Sequence, residues 1–544
     1  MSPKPHPGKP LNQGLLWGGF IIACTIAVYL PSLNNALTNW DDRLYIIDNP
    51  MIRSLSWEHI REMFTTFYAG NYHPLTMLSL AVDYRFGKTE PFAYHLTNIL
   101  FHAANAVMVY FVIRRLTRKT GVAVLAGLLF GLHPLHVESV AWVSERKDVL
   151  YAFFFLLSLL CYIRFAADTE NKKCYWLSIL FFILSLLSKG QAVSLAVTLV
   201  LADYFLGRKL LSREVILEKI PFFALALAFG VIAVVAQADV RAMLLEHFPW
   251  YERVAFASYG LLMYVVKLIL PLGLSAFYPY PVVHTADAIP VLYWACILIW
   301  IVPAIVLFKS YRRSKVVFFS ILFFLVNIFP VLQLLPVGSA IMADRYAYVP
   351  SIGYCLLFGW VLAGTDLLQK YRSGYMIGAA YLVFAGILAV QRTQVWKDSL
   401  SLWSDVIAKR PKAALAWYNR GLAKKDAGDI RGALDDFSES IRINPNVAAS
   451  YNNRAFARKL LKDYRGAIED YTRTIGLDSA YTLAWYNRGV AKKELRDFSG
   501  AISDLDKAIS LNPADPYAYF HRAVAKSQSG DPGGAADDYR KTIA

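Results

Sequence analysis

The sequence predicts an all-α protein in two parts, a polytopic transmembrane helical domain and a C-terminal helical-repeat solenoid. Three observations carry this. The 544 residues are 56% hydrophobic and only 18% charged, with a mean hydropathy of +0.38, whereas soluble domains sit near a quarter charged. That average conceals a shift, because residues 12–391 are a series of long apolar runs and residues 411–544 read as ordinary soluble protein. Within the second part a motif recurs every 34 residues.

About 18 to 20 apolar residues are needed to cross a bilayer. The first candidate, about Leu15 to Leu30, follows a short tail with Lys4 and Lys9. It lacks a clear small-residue cleavage site, so it reads as an anchor and not as a removed signal peptide. Further candidates lie near 95–113, 120–137, 149–166, 174–188, 190–206, 219–236, 289–309, 316–334, 350–368 and 374–391. The expected organisation is a cytoplasmic tail 1–13, a membrane domain 14–392 with about eleven spans, a connecting amphipathic helix within 393–411, and repeats over 412–544. Residues 254–272 are apolar enough to span, but a crossing there breaks the alternation, so an interfacial or re-entrant helix is expected.

Charge sets the orientation. Residues 411–544 hold 21 Lys/Arg and 17 Asp/Glu, a net of +4 within the total of +16, which leaves +12 for the membrane part. That excess lies in short loops, as the positive-inside bias requires, and is not a nucleic-acid signal. The clusters are Arg114-Arg115 with Arg118-Lys119, Lys172-Lys173, Arg208-Lys209 with Arg213, Lys309 with Arg312-Arg313 and Lys315, and a weaker pair, Lys370 and Arg372. Placing them in the cytoplasm puts the N-terminus inside and leaves residues 31–94, 138–148, 335–349 and the repeats outside. The expected location is a prokaryotic inner membrane with the repeats in the periplasm or outside, or the endoplasmic reticulum membrane in a eukaryote. The five cysteines form no disulfide framework and no metal-type spacing.

The outer segments hold the chemistry. Asn39-Trp40-Asp41-Asp42 follows the first span, then Ile47-Asp48-Asn49-Pro50 and Asn71-Tyr72-His73-Pro74. Adjacent carboxylates at a membrane surface repel each other and lose hydration, which favours a raised pKa and base behaviour; the alternative is an Asp pair that caps a helix or turn. The second segment runs His133-Pro134-Leu135-His136-Val137-Glu138 and then Glu145-Arg146-Lys147-Asp148. Ionisable groups at membrane depth are costly and mark function; His133, His136 and Glu138 read either as a metal site lacking a well-spaced further ligand or as ordinary polar residues. In the third, Asp344-Arg345-Tyr346 offers a guanidinium matched to phosphate oxygens, or a surface ion pair.

Trp417-Tyr418-Asn419-Arg420-Gly421 recurs at Tyr451, Trp485 and Tyr519, each 34 residues on, which is the tetratricopeptide period. Gly421, Ala455, Gly489 and Ala523 allow close helix approach, and Phe437, Tyr471, Leu505 and Tyr539 fill the gap. Such arrays bind peptides or proteins on a concave face. The recurrent Asn-Arg pairs either line that face or bond between repeats.

Leu30 to Pro50, Asn71 to His102, Gly131 to Leu150 and Ala343 to Gly353, in this order and ahead of the repeats, resemble the transmembrane and tetratricopeptide-repeat-containing O-mannosyltransferases, and the chain looks like a prokaryotic relative. The resemblance implies a GT-C-like membrane domain that moves a sugar from a polyprenyl-phosphate donor to a hydroxyl of a protein or peptide. It departs where eukaryotic members tend to have Gly-Arg-Ala-Asp and Arg-Pro-Leu and this chain has Glu145-Arg146-Lys147-Asp148 and His73-Pro74-Leu75. By analogy with the class, Asp41 is the base, and Asp42 or Glu138 orients the acceptor or binds a cation. Arg345 meets the donor phosphate, with Arg146 and Lys147 as alternates; His73, His133, His136 and Asp148 are the acceptor-side candidates. No cofactor is assigned, and a divalent cation is an option. The expected partners are the lipid-linked sugar, the acceptor held by the repeats, and membrane lipid; nucleic acid is not among them. The other reading is a non-catalytic membrane-anchored scaffold, for which one or two spans suffice. A transporter predicts matched halves with broken helices, and the apolar part has no such symmetry.

Overall fold

A computed structural model describes residues 11–237, 248–281, 288–334, 340–364 and 373–543. Most of the tail 1–13, and the cluster of Lys370 and Arg372, lie outside the described residues. The chain is 79% helical and divides into two compact units, Met1–Leu402 and Trp403–Ala544.

Among the described residues of the first unit, six helices are long and apolar enough to cross a membrane: Gln13–Asn34, Pro91–Thr117, Val143–Ala167, Arg213–Ala236, Val291–Ser310 and Ser373–Val395. The expected span at 120–137 is instead two helices, Thr120–Leu132 and Pro134–Ala141, bent by 48°. The bend falls at His133-Pro134, because the residue before a proline is pushed out of the helical region. Gly190–Leu206, Lys315–Val331 and Ser351–Ala363 are shorter apolar helices. Among the described residues, length alone therefore supports six of the eleven expected crossings, or seven if the bent pair is counted as one. Lys172–Ser188 nevertheless runs antiparallel to Arg146–Ala167, since Ser178 bonds Ser158 and Ser185 bonds the Tyr151 carbonyl. Small residues set the closest helix contacts. A Cβ on Gly353 would stand 2.3 Å from the Ser320 carbonyl oxygen, so only glycine lets Ser351–Ala363 lie this close to Lys315–Ile328.

Residues 31–94, expected as one long loop, fold into two helices, Trp57–Thr65 and Pro74–Gly87, over a core that includes Tyr45, Met51, Met63, Met77 and Leu80. The stretch expected to be interfacial is the helix Trp250–Ile269. It buries Phe256, Leu261, Tyr264 and Leu268 against Phe324, Ile341 and Tyr346, so its apolar residues serve an internal face. A short antiparallel pairing of Tyr278–Pro279 with Ala340–Met342 leads the chain into Asp344 and Arg345.

In the second unit, four helix pairs repeat, beginning at Ala414, Ala448, Thr482 and Pro516. The connecting helix Ser399–Lys409 precedes them, with Trp403 and Ile407 buried as its amphipathic pattern requires. A Cβ on Gly421 would meet the Phe437 ring at 2.7 Å, which is the close approach read from the repeat. The recurrent arginines do not line a face. Arg420, Arg454, Arg488 and Arg522 each reach sixteen residues on with a bidentate grip on Asp436, Asp470, Asp504 and Asp538. They tie the two helices of each repeat, and the fork geometry explains why arginine and not lysine recurs. The asparagines bond between repeats: Asn453 donates to Tyr418 at 3.2 Å, and Asn487 accepts from Lys459 at 2.7 Å.

Candidate active site

The ends of several helices bring the three outer segments together. Pro134–Ala141 and the turn Val143–Glu145 carry Glu138 and Glu145 inward. Arg146–Ala167 opens with Arg146, Lys147 and Asp148, and two ammoniums and a guanidinium then interlock with three carboxylates. Arg345 bridges Glu138 through Nη1 and Glu145 through Nε at 3.2 Å, with its guanidinium over the Trp142 and Tyr346 rings. Lys147 meets Glu145 at 3.2 Å and lies over Tyr45. Lys189 meets Asp148 at 2.5 Å and Glu145 at 3.7 Å. Lys147, Lys189 and Arg345 thus partner Glu138, Glu145 and Asp148, with the Asp41 and Asp344 carboxyls also close to the set. Burying such a set is tolerable only because each charge has a partner of opposite sign.

The Asp pair splits into two roles. Asp42 is 1% exposed and accepts four hydrogen bonds, from the backbone and hydroxyl of Thr38 and of Ser144, at 2.5 to 3.0 Å. It joins the first outer segment to the second and presents no free oxygen. Asp41 is partly exposed, and among the described residues its carboxylate makes no hydrogen bond or ion pair. Burial raises its pKa above the ordinary aspartate value, with Lys147 and Arg345 opposing and Glu145 adding to the rise. It stands at the edge of the paired cluster as the one carboxylate still open to a substrate. Trp40 beside it stacks on Trp142 with ring centroids 4.5 Å apart.

His73 is buried to 4% exposure with both ring nitrogens lacking a partner. Burial, and Lys147 nearby, hold its pKa down to about 3, so the ring is neutral at physiological pH and keeps one donor and one acceptor. It packs 5.5 Å from the Tyr45 ring, over which Lys147 also lies.

Other expected site residues are occupied elsewhere. Arg146 is fully buried and is consumed by Asp83 at 2.6 Å, Ser79 at 2.8 Å, the Tyr94 carbonyl and Asn98. No phosphate can reach it; helix geometry turns neighbours about 100° apart, so Lys147 faces the cluster while Arg146 faces the core. His133 bonds the Leu268 carbonyl and the Leu135 amide, and His136 bonds the Phe130 carbonyl and Ser351. Both hold the bend between Thr120–Leu132 and Pro134–Ala141 and do not converge with Glu138 on a cation. Asp148 is taken by Lys189 and Ser139. Among the described residues no group of three His, Cys, Asp or Glu is arranged to hold a metal. Lys189 is the member that sequence reasoning missed, because a lone lysine ending an apolar run looks like a boundary charge.

Beyond the cluster an apolar cavity of about 270 Å³ opens, lined among others by Leu261, Leu268, Val302, Phe324, Gly353 and Tyr354. Leu261, Leu268 and Phe324 belong to the same packed core as Tyr346, the residue that follows Arg345.

The profile of the Dolichyl-phosphate-mannose-protein mannosyltransferase family matches residues 77–237, and that of the tetratricopeptide repeat matches 414–447 and 483–515. The Protein O-mannosyl-transferase F38B6.6 of Caenorhabditis elegans is 23% identical over 451 residues, covering 78% of this chain and 62% of the relative. The human Protein O-mannosyl-transferase TMTC4 is 26% identical, covering 67% and 57%. The chain is similar to the transmembrane and tetratricopeptide-repeat-containing O-mannosyltransferases. It spans 62% or less of the length of these two curated relatives. Among solved structures, MamA is 21% identical with a TM-score of 0.26, covering 26% of this chain and 84% of MamA.

Proposed function

We propose that the chain is a membrane glycosyltransferase that moves a sugar from a polyprenyl-phosphate donor to a hydroxyl of a protein or peptide on the outer face, with the repeats recruiting the acceptor. The observation that carries the reading is the open Asp41 carboxylate beside a cluster of Arg345, Lys147 and Lys189, with an apolar cavity behind it. The acceptor oxygen attacks the anomeric carbon, the bond from that carbon to the phosphate oxygen breaks, and the acceptor proton passes to Asp41. The lipid phosphate leaves with the bonding pair. No strong acid is needed, because phosphate is already a good leaving group.

The ion pairing gives the cluster a function in this reaction. A donor phosphate brings further negative charge to a set whose cations already have carboxylate partners, which raises the proton affinity of Asp41 as the donor binds. Arg345, Lys147 and Lys189 offset the growing charge on the leaving phosphate. His73, neutral and unpartnered, donates to or accepts from the acceptor hydroxyl. The apolar cavity takes the first isoprene units of the tail. Asp42, with both oxygens occupied, is a positioning residue, and a divalent cation, if one takes part, is held by the donor phosphate and Asp41 instead of by the Asp pair.

Purified full-length protein offered a panel of polyprenyl-phosphate sugars tests this. The expected result is transfer to a peptide, or slow hydrolysis, of one donor. A protein that binds peptide through its repeats and leaves every donor intact would be a membrane-anchored scaffold.

A further inference from the structure

A second charged cavity lies at the opposite end of the same helices, and nothing in the transfer reaction uses it. Its volume is about 620 Å³, within the range of small-molecule sites. Arg114, Arg115 and Arg118, at the C-terminal end of Pro91–Thr117, and Arg164, in the last turn of Arg146–Ala167, line it, over a floor that includes Leu160 and Leu206. From Glu145 to Arg164 is 19 residues, roughly 28 Å along a helix, close to the thickness of a bilayer core. The two charged sites therefore stand about one bilayer core's thickness apart along this helix.

The arginines of this cavity differ from other basic residues at that end. Arg208 is neutralised by Asp203 at 3.1 Å and Glu218 at 2.7 Å. Lys119 is spent on the Gly364 carbonyl and the Trp360 ring. Among the described residues none of the four cavity arginines has an acid partner; Arg114 donates only to the Tyr110 hydroxyl at 2.9 Å. The nearest acids in sequence, Asp168 and Glu170, form no ion pair with them. A helix C-terminus favours basic side chains, but two such ends supply only about one negative charge in all, against four positive charges converging on one space. The positive-inside bias accounts for basic residues at this face and not for their convergence around a concave, half-apolar cavity.

We infer that this cavity binds a phosphate-bearing anion, with its guanidiniums on the phosphate oxygens and its apolar floor against the attached chain. Guanidinium forks match phosphate oxygens, and basic pockets between membrane helices take anionic lipid headgroups. An anionic phospholipid satisfies both halves of the lining; a soluble phosphate satisfies only the arginines. The site is independent of the transfer reaction.

Native mass spectrometry of the full chain in neutral detergent, at fixed ionic strength, tests this with three probes: cardiolipin, phosphatidylcholine and inorganic pyrophosphate. Cardiolipin is expected to bind and phosphatidylcholine not. The triple variant Arg115→Gln/Arg118→Gln/Arg164→Gln should weaken cardiolipin by at least roughly tenfold, as expected from losing charge-assisted contacts. The control Arg312→Gln/Arg313→Gln, which removes exposed charges outside the cavity, should not. If the triple variant does not purify, Arg164→Gln alone, exposed and without a partner, should show a smaller loss in the same direction. Binding of pyrophosphate in place of cardiolipin, lost in the same variant, would keep the phosphate site and assign a soluble ligand. Equal affinity in the wild type and the cavity variants, or equal loss in the control, would overturn the site.

Discussion

Asp41 and Asp42 are adjacent in sequence and opposite in role, and the difference is one of hydrogen bonding. Asp42 accepts from Thr38 and Ser144 through two backbone amides and two hydroxyls, whereas Asp41 accepts from no described group. Asp42→Asn puts an amide nitrogen where two donors already point, so it should cost about 1–3 kcal/mol in thermal or denaturant unfolding. Asp41→Asn should leave that unfolding transition unchanged. The pH dependence follows from the raised pKa of Asp41. A base works only when deprotonated, so kcat/KM should rise with pH on a limb lying above the usual aspartate value of about 3.9. That limb should disappear in Asp41→Asn; a wild-type limb at the ordinary value would mean that another group titrates. The sequence already held the Asp pair, Arg345, Lys147 and His73. It set Asp41 apart from Asp42 only by analogy with the class, because the Ser144 that occupies Asp42 lies 102 residues away. Nor could it separate Arg146 from Lys147, since that depends on which side of one helix faces the core.

At the scale of elements, the membrane part is held by close helix approach and the repeats by ion pairs within each hairpin. Gly353 is the clearest case, as any Cβ there meets the Ser320 backbone at 2.3 Å. Backbone cannot swing aside as a side chain can. Gly353→Ala should therefore push Ser351–Ala363 from Lys315–Ile328 and cost about 1–3 kcal/mol, read as a lower unfolding midpoint. An unchanged midpoint would mean that the helices separate without strain. The repeats were legible almost entirely, because a 34-residue period writes each contact four times. Their arginines were misread for a related reason: a recurrent polar residue looks like a binding feature until its partner sixteen residues on is seen to recur too. The bend at His133-Pro134 was missed because hydrophobicity alone makes 120–137 one span, although the proline itself was the signal.

For the whole molecule, the polytopic α-helical class and the repeat solenoid followed from composition and period. The folded outer segment 31–94 did not, because its apolar residues are scattered and its core forms only when distant stretches meet. The charge pattern and the structure agree on two ends of the membrane unit, one with Asp41, Glu145 and Arg345 and the other with Arg114, Arg164 and Arg208. The proposal puts the basic end in the cytoplasm and, with it, the repeats outside. A cysteine introduced at the exposed Ser510 should then react with an impermeant thiol reagent on intact cells or spheroplasts. Labelling only after lysis, with expression verified, would reverse the orientation and separate the repeats from the side on which the acceptor is proposed to arrive.

The central claim is that Asp41 removes the acceptor proton as the sugar leaves its lipid phosphate. Its most direct test is a single-turnover measurement of sugar transfer to a peptide acceptor by wild-type protein and by Asp41→Asn, with donor binding measured separately. The substitution keeps shape and removes the base, so donor affinity should hold while the transfer rate falls by about 100- to 10,000-fold. Transfer at the wild-type rate in Asp41→Asn would contradict the account.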